Sequence, residues 1–126
     1  MQKERPKFLE LTSIRLPIPG IVSILHRVSG VGIFLCLPLL LWLFSGTLAT
    51  ESGFETYRAW VSNPLIILIL IGLLWAYNHH FLAGIRFLFL DMHKGLELQT
   101  ARATAKMVFV GGLVLTALIV AGVWVL

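Results

Sequence analysis

Two adjacent histidines and an arginine, His79, His80 and Arg86, lie at the end of an apolar stretch that has no charged residue after Arg58. An imidazole in hydrocarbon indicates a function by default, because an unsatisfied polar ring is costly there. On a helix, small residues at three- and four-residue steps around His80 predict one shallow face: Gly72, Ala76, Ala83 and Gly84. Such a face suits a flat macrocyclic cofactor. A hydrogen bond to a neighbouring helix is the alternative, and the pattern leaves both open.

The two histidines cannot ligate one iron together. Neighbouring residues on a helix point about 100° apart, so His79 and His80 cannot supply opposite axial positions. At most one of them is a ligand. A six-coordinate iron would then need its second ligand from another membrane subunit.

Arg86 and His80 lie at different depths in the bilayer. His80 precedes Arg86 by six residues, which places His80 about 9 Å nearer the bilayer centre than Arg86. A haem held at His80 could direct its propionates toward Arg86, Arg27 and His26, where charge and water are available. The alternative for Arg86 is an interfacial anchor that pairs with Asp91.

A second candidate site lies in "SILHRVSG", Ser23 to Gly30. Ser23 and Arg27 are four residues apart on one helix face, and Gly30 leaves a gap close to that face. A hydroxyl, a guanidinium and a glycine gap could hold a small carbonyl headgroup whose tail stays in lipid. The alternative is a helix N-terminus with a capping serine and an interfacial arginine.

Membrane-spanning helices must position these residues. The chain has 126 residues, of which 58% are hydrophobic and 13% charged, and its mean hydropathy is +0.91. Three uncharged gaps are each long enough for the roughly 20 apolar residues that cross a bilayer. The sequence therefore predicts an all-α integral membrane protein: one domain over 1–126 with three transmembrane helices at approximately 22–48, 64–92 and 101–126.

Local signals suggest where these helices begin and end. "LPIPG" (16–20) predicts a start after its prolines, and "SNP" (62–64) predicts a cap followed by proline at the first helical position. Gly95 is predicted to end the second long helix and Thr100 to cap the third. "SGFE" has the spacing of a capping box, which predicts a short surface helix over 52–60.

The basic residues predict the orientation. Nine of the ten lie before or at the start of the first span or between the second and third, and Arg58 is the exception: Lys3, Arg5, Lys7, Arg15, Arg27, Arg86, Lys94, Arg102 and Lys106. The positive-inside rule then places the N-terminus in the cytoplasm and the C-terminus in the periplasm. An aromatic belt is expected at the outer interface from Trp42, Tyr57, Trp60 and Trp124.

Topology explains the net charge of +4, so no nucleic-acid partner is expected. The first 20 residues suit neither a signal peptide nor a transit peptide, and we expect the first helix to be retained. Cys36 lies alone within that helix and is interpreted as a small apolar packing residue.

Two segments carry a family resemblance. "RPKFLELTSIRLPIPGIVSILHRVSGVGIF" (5–34) and "HFLAGIRFLFLD" (80–91) resemble the cytochrome b membrane-anchor subunit of bacterial succinate dehydrogenase, respiratory complex II. That family has an "RP" near its N-terminus, "SIxHRxSG" opening the first helix and "HxxxGIRHxxxD" on the second. The resemblance covers nearly the whole chain, including its plan of three helices.

The resemblance implies roles for individual positions. His80 matches the family's axial ligand to haem b, the other ligand coming from a second anchor subunit. Ser23 and Arg27 match residues that line the ubiquinone site. The residues implied near the haem propionates are His26, Arg27 and Arg86.

Asp91 and Phe87 are two further positions of the second motif. Asp91 matches the acid that ends the motif, and its implied role is either pairing with Arg86 or proton access. The family usually has histidine directly after "GIR", where this chain has Phe87. Phe87 returns to the face of His80, where it could pack against the haem edge in place of the polar contact that a histidine would make.

The implied activity is electron delivery to ubiquinone. Succinate would be oxidised at FAD in a flavoprotein subunit, and electrons would pass through an iron–sulfur subunit to quinone near Ser23 and Arg27. Arg27 would stabilise negative charge on a quinone oxygen, and Ser23 would donate a hydrogen bond. The chain would hold no catalytic centre alone, and it would lie in the bacterial inner membrane.

Two other functions compete with this one. The first is the anchor of a fumarate reductase, which could use another quinone or lack haem. The second is a small transporter or structural bundle in which His79 and His80 relay protons.

Overall fold

Four helices make up the computed structural model, which describes residues 13–48 and 50–125. They are α1 (Ile18–Thr47), α2 (Glu51–Val61), α3 (Pro64–Asp91) and α4 (Leu98–Val125). By length and composition, α1, α3 and α4 can each cross a membrane. The prediction of an all-α, multi-pass membrane protein with three spans is confirmed, and so is the short helix between the first two spans. The predicted end of the last span at Leu126, and the basic residues Lys3, Arg5 and Lys7, lie outside the described residues.

The first helix begins earlier than the prolines suggested. Pro17 is its N-cap, and the Pro17 carbonyl accepts hydrogen bonds from the Gly20 and Ile21 amides at 2.9 and 3.1 Å. The predicted start after "LPIPG" is wrong because a proline in the first turn lacks only an N–H group that has no partner there anyway. Pro38 lies within α1, where a span tolerates it if neighbouring groups satisfy the freed carbonyl.

The start of α3 agrees with the sequence, whereas the start of α2 does not. The Asn63 side chain accepts a hydrogen bond from the Leu65 amide at 2.9 Å, with Pro64 at the first helical position. For α2 the N-cap is Thr50, and Ser52 lies inside the helix. The predicted capping box is therefore wrong by two residues, although the helix itself is present.

His93, not Gly95, ends α3. His93 has a φ of 58°, and the Lys94 amide bonds back to the Phe89 carbonyl at 3.0 Å, as in a Schellman motif. Gly95 also has positive φ, at 77°, but it lies beyond the cap. Thr100 does not cap α4 because that helix already begins at Leu98.

The core lies where α1, α3 and α4 meet. Its fully or nearly buried members are small or β-branched: Val22, Ala83, Ala105 and Val108. Between α3 and α4, the Asn78 amide donates to the Thr116 hydroxyl at 3.0 Å, and both residues are buried. Close approach of backbones at small residues and a polar bond between helices are what hold spans together in lipid.

The short helix α2 folds back on the end of α1. A Cβ atom at Gly46 would lie 3.0 Å from the Tyr57 Cβ, so glycine is needed for this contact. The Trp42 and Trp60 rings meet edge to face with centroids 5.2 Å apart. Trp124 lies at this end too, because it lines a cavity together with Val61 of α2. All four residues predicted for the aromatic belt are thus near α2, at one end of the bundle.

Candidate functional site at the contact of helices α1 and α3

His80 lies on the face of α3 that meets α1. A Cβ atom on Gly30 would lie 2.9 Å from His80 Cε1 and 3.3 Å from Nδ1. The imidazole therefore occupies the space that any other residue at position 30 would fill. His80 is half-buried, so the residue keeps some exposure at the surface of the chain.

Among residues 13–48 and 50–125, the hydrogen bonds of the His80 ring are made by Nδ1. His80 Nδ1 lies 3.0 Å from the His26 carbonyl oxygen and 3.3 Å from the Ser29 hydroxyl oxygen. A carbonyl can only accept, so Nδ1 carries the hydrogen and donates it. Nε2 of the neutral ring then keeps its lone pair, which is the form that binds a metal.

His26 stacks on the same ring. The His26 and His80 centroids are 4.1 Å apart, with 10° between their planes. Phe87 tilts against His26 at 5.1 Å, and a Cβ atom on Gly84 would lie 3.8 Å from His26 Nε2. Phe87 is thus on the predicted side of α3, where it contacts an imidazole.

The small-residue face around His80 is only partly open. Nothing lies within 4 Å of a Cβ atom placed on Gly72, whereas Ala83 is 0% exposed and belongs to the core. Ala83 thus packs against the other helices, whereas position 72 stays uncovered by the described residues. Positions 80 and 83 lie 60° apart around the helix, and that angle turns Ala83 into the bundle.

His79 points about 100° away from His80 around α3 and is fully buried. Its backbone packs on α4, where a Cβ atom on Gly112 would lie 3.4 Å from the His79 Cα. Its ring stacks on Trp75 at 5.4 Å. In the described part of the chain neither ring nitrogen has a hydrogen-bond partner of good geometry, although the Val22 backbone on α1 lies within reach of the ring. The structure thus gives the two histidines different surroundings: His79 is fully buried, and His80 is half-buried.

Arg86 forms its hydrogen bonds with α4. Its Nε donates to the Thr104 hydroxyl at 3.1 Å, and its Nη2 donates to the Ala101 carbonyl at 3.2 Å. The side chain is 7% exposed. The Arg86 guanidinium also lies 5.6 Å from the centre of the Phe87 ring, which contacts His26. Within the described residues Arg86 forms no hydrogen bond with His26 or Arg27 and no ion pair with Asp91.

Ser23 and Arg27 lie one turn apart on α1. Ser23 is half-buried and Arg27 exposed. Within residues 13–48 and 50–125, neither side chain has a hydrogen-bond or ion-pair partner. Both side chains are thus available to a ligand or to another subunit.

The structure adds two features that the sequence reasoning did not identify. Ser29 is 4% exposed and contacts both His26 and His80; its place directly before Gly30 was the available signal. An apolar cavity of about 510 Å³ lies between α3 and α4, lined in part by Ile71, Val120 and Trp124. No residue of the predicted site lines that cavity.

Comparison with known proteins identifies the class. A model of the succinate dehydrogenase/fumarate reductase transmembrane subunit family matches residues 1–119, and the chain belongs to that family. It is 36% identical over 126 residues to the succinate dehydrogenase cytochrome b556 subunit of Coxiella burnetii, with 99% of each chain covered. The subunit of the same name from Paracoccus denitrificans is 32% identical over 114 residues, which cover 90% of this chain and 88% of that one.

More distant relatives agree. The cytochrome b556 subunit of succinate dehydrogenase from Rickettsia felis is 29% identical over 116 residues, covering 92% of this chain and 90% of the relative. Within its family, this chain is therefore a membrane subunit of a succinate dehydrogenase complex, which confirms the family predicted from the two motifs.

Proposed function

We propose that this chain binds haem b where α1 meets α3, with His80 as one axial ligand and a second anchor subunit supplying the other. The single observation that carries the proposal is the 3.0 Å bond from His80 Nδ1 to the His26 carbonyl. That bond leaves Nε2 unprotonated on a half-buried residue. The relatives' name, cytochrome b556, supports the same cofactor. When bound, the haem supplies a one-electron redox centre and a rigid contact between subunits.

Two neighbours of His80 support the fit. Gly84, one turn along α3, leaves His26 Nε2 without a bulky side chain beside it. His26 and the exposed Arg27 are proposed to contact the haem propionates, since both carry donors and lie at the same end of the bundle. Arg86 belongs to this proposed set as well, and its guanidinium also donates to Thr104 and Ala101 on α4.

Ubiquinone is the proposed electron acceptor, bound next to Ser23 and Arg27. Electrons from succinate would reach it from FAD in the flavoprotein subunit through the iron–sulfur subunit. Ser23 would donate a hydrogen bond to a quinone oxygen, and Arg27 would stabilise negative charge on it. The proposal is supported by two polar side chains, one turn apart, that have no partner in the described residues.

The proposal also includes the location and the orientation of the chain in the membrane. We propose one domain over 1–126 in the bacterial inner membrane, with the N-terminus cytoplasmic and the C-terminus periplasmic. Arg27 and Arg86 lie toward one end of the bundle and α2 toward the other, as the positive-inside rule requires of that orientation.

The experiment is a reduced-minus-oxidised optical spectrum of the purified complex, comparing wild type, His80→Asn and His93→Asn. Asparagine at position 80 keeps a donor for the His26 carbonyl but removes the ring. We expect a b-type signal in wild type and in His93→Asn, where the histidine is exposed in the turn after α3. An unchanged b-type signal in His80→Asn would refute the assignment of His80.

A further inference from the structure

Ser29 is one of the α1 residues that hold the His80 ring in place. The three atoms His80 Nδ1, the His26 carbonyl oxygen and Ser29 Oγ form a triangle with sides of 3.0, 3.3 and 3.0 Å. The bond from Ser29 Oγ to the His26 carbonyl uses the only hydrogen of that hydroxyl. Toward His80, Ser29 can therefore only accept.

The N–H group of His80 thus has two acceptors, and both belong to α1. Gly30 fixes how closely the ring approaches, since a Cβ atom there would lie 2.9 Å from Cε1. The stacked His26 ring, 4.1 Å away, covers the imidazole face. Residues His26 to Gly30 therefore define the position and the tilt of the ring.

Water cannot easily replace the Ser29 hydroxyl. Ser29 is 4% exposed and lies in a span, where few waters are available to satisfy a polar group. Removing the hydroxyl would leave His80 Nδ1 with the carbonyl as its one acceptor. An acceptor on the N–H of a metal-bound imidazole increases the electron donation of the opposite nitrogen.

We propose that Ser29 is a positioning residue that sets the electron donation of His80 and thereby the reduction potential of the haem. The inference rests on the proposed ligation of haem b by His80. Stronger donation favours ferric over ferrous iron, so Ser29 holds the potential down. Loss of the hydroxyl should raise it.

The test is a redox titration of the purified complex, with Ser29→Ala compared with Ser45→Ala. Ser45 is the matched control because its hydroxyl donates to the Trp42 carbonyl, also three residues back on α1, at 2.7 Å. In Ser29→Ala we expect full haem content, with the ferric-to-ferrous ratio at a fixed ambient potential about three- to tenfold lower. This corresponds to a rise in midpoint potential of about 30 to 59 mV. The g-values of the ferric haem in electron paramagnetic resonance should shift with it.

Two further variants separate the hydroxyl from packing. Ser29→Thr keeps the hydroxyl and should have the wild-type midpoint potential. Ser29→Cys has a weakly accepting thiol and should have a higher midpoint potential. If Ser29→Ala fails to assemble, the difference between these two variants still decides the matter. Equal potentials in Ser29→Thr and Ser29→Cys would overturn the proposal, and so would a Ser29→Ala complex with the potential and g-values of Ser45→Ala.

The proposed function fails in a different way. A wild-type complex without b-type haem, or a His80→Asn complex with an unchanged spectrum, would refute ligation by His80 and this inference with it. A spectrum that depends on His80 but not on Ser29 would refute only the role of Ser29.

Discussion

Adding a single methyl group at Gly30 should displace the His80 ring. The Cβ atom of Gly30→Ala would lie 2.9 Å from His80 Cε1, whereas ordinary contacts begin at 3.4 Å. The ring must therefore move by about 0.5 Å, the difference between those two distances. If the ring moves directly away from α1, the distance of 3.0 Å between His80 Nδ1 and the His26 carbonyl oxygen increases toward about 3.5 Å. At that distance the hydrogen bond is weak.

The expected cost follows from that displacement. Loss of an outer partner of a metal-ligating histidine typically reduces affinity about 10- to 100-fold, so the haem of Gly30→Ala should dissociate at least about tenfold faster. The assay is transfer of haem from the purified complex to excess apomyoglobin, followed optically. Gly32→Ala is the matched control, because it is the same change on the same helix and its Cβ atom meets nothing within 4 Å.

Both variants replace a helical glycine by alanine, so both gain the same helix propensity, about 1 kcal/mol. A general effect on α1 would therefore appear in both. Equal rates of haem transfer from Gly30→Ala and Gly32→Ala would refute the conclusion that Gly30 makes room for the His80 ring.

Three other predictions follow from the same structure. Arg27→Ala should reduce quinone reduction at least about tenfold while succinate oxidation with an artificial dye persists, with exposed Arg102→Ala as the control. Asn78→Leu should lower the midpoint temperature of complex dissociation, because it breaks a buried bond between α3 and α4 worth about 0.6–2 kcal/mol; Thr116→Val should add little to it in the double variant. A periplasmic reporter fused after residue 126 should be active, and one fused within the turn between α3 and α4 should not.

Each has a result that would contradict it. Equal loss of the dye and quinone activities in Arg27→Ala would indicate an assembly defect and not a quinone contact. Fully additive effects of Asn78→Leu and Thr116→Val would mean that the two residues stabilise the bundle independently. A reporter active in the turn after α3 would reverse the proposed orientation.

The spacing of charged residues was sufficient to predict the three spans. The free-energy cost of placing a charge in the bilayer is larger than the helix or strand preference of any single residue. Helix ends were harder to predict. Prolines can lie inside a first turn, as Pro19 does, and a non-glycine residue can adopt the left-handed conformation at a C-terminus, as His93 does. Residue type alone therefore does not determine where these helices begin and end.

Within the site, the sequence indicated residues but not directions. Helical spacing separated His79 from His80, and the structure places them on different faces. Spacing did not reveal that Arg86 would bond to α4, because that depends on how α4 approaches α3. Ser29 was missed for the same reason: its contact with His80 joins residues that are 51 positions apart.

The most direct test of the account is chemical rescue of His80→Gly. The purified complex should lack the low-spin b-type spectrum of wild type, and added imidazole should restore it in a saturable manner, because the free ligand can occupy the space of the missing ring. A low-spin b-type spectrum in His80→Gly without imidazole would contradict the claim that His80 holds the haem.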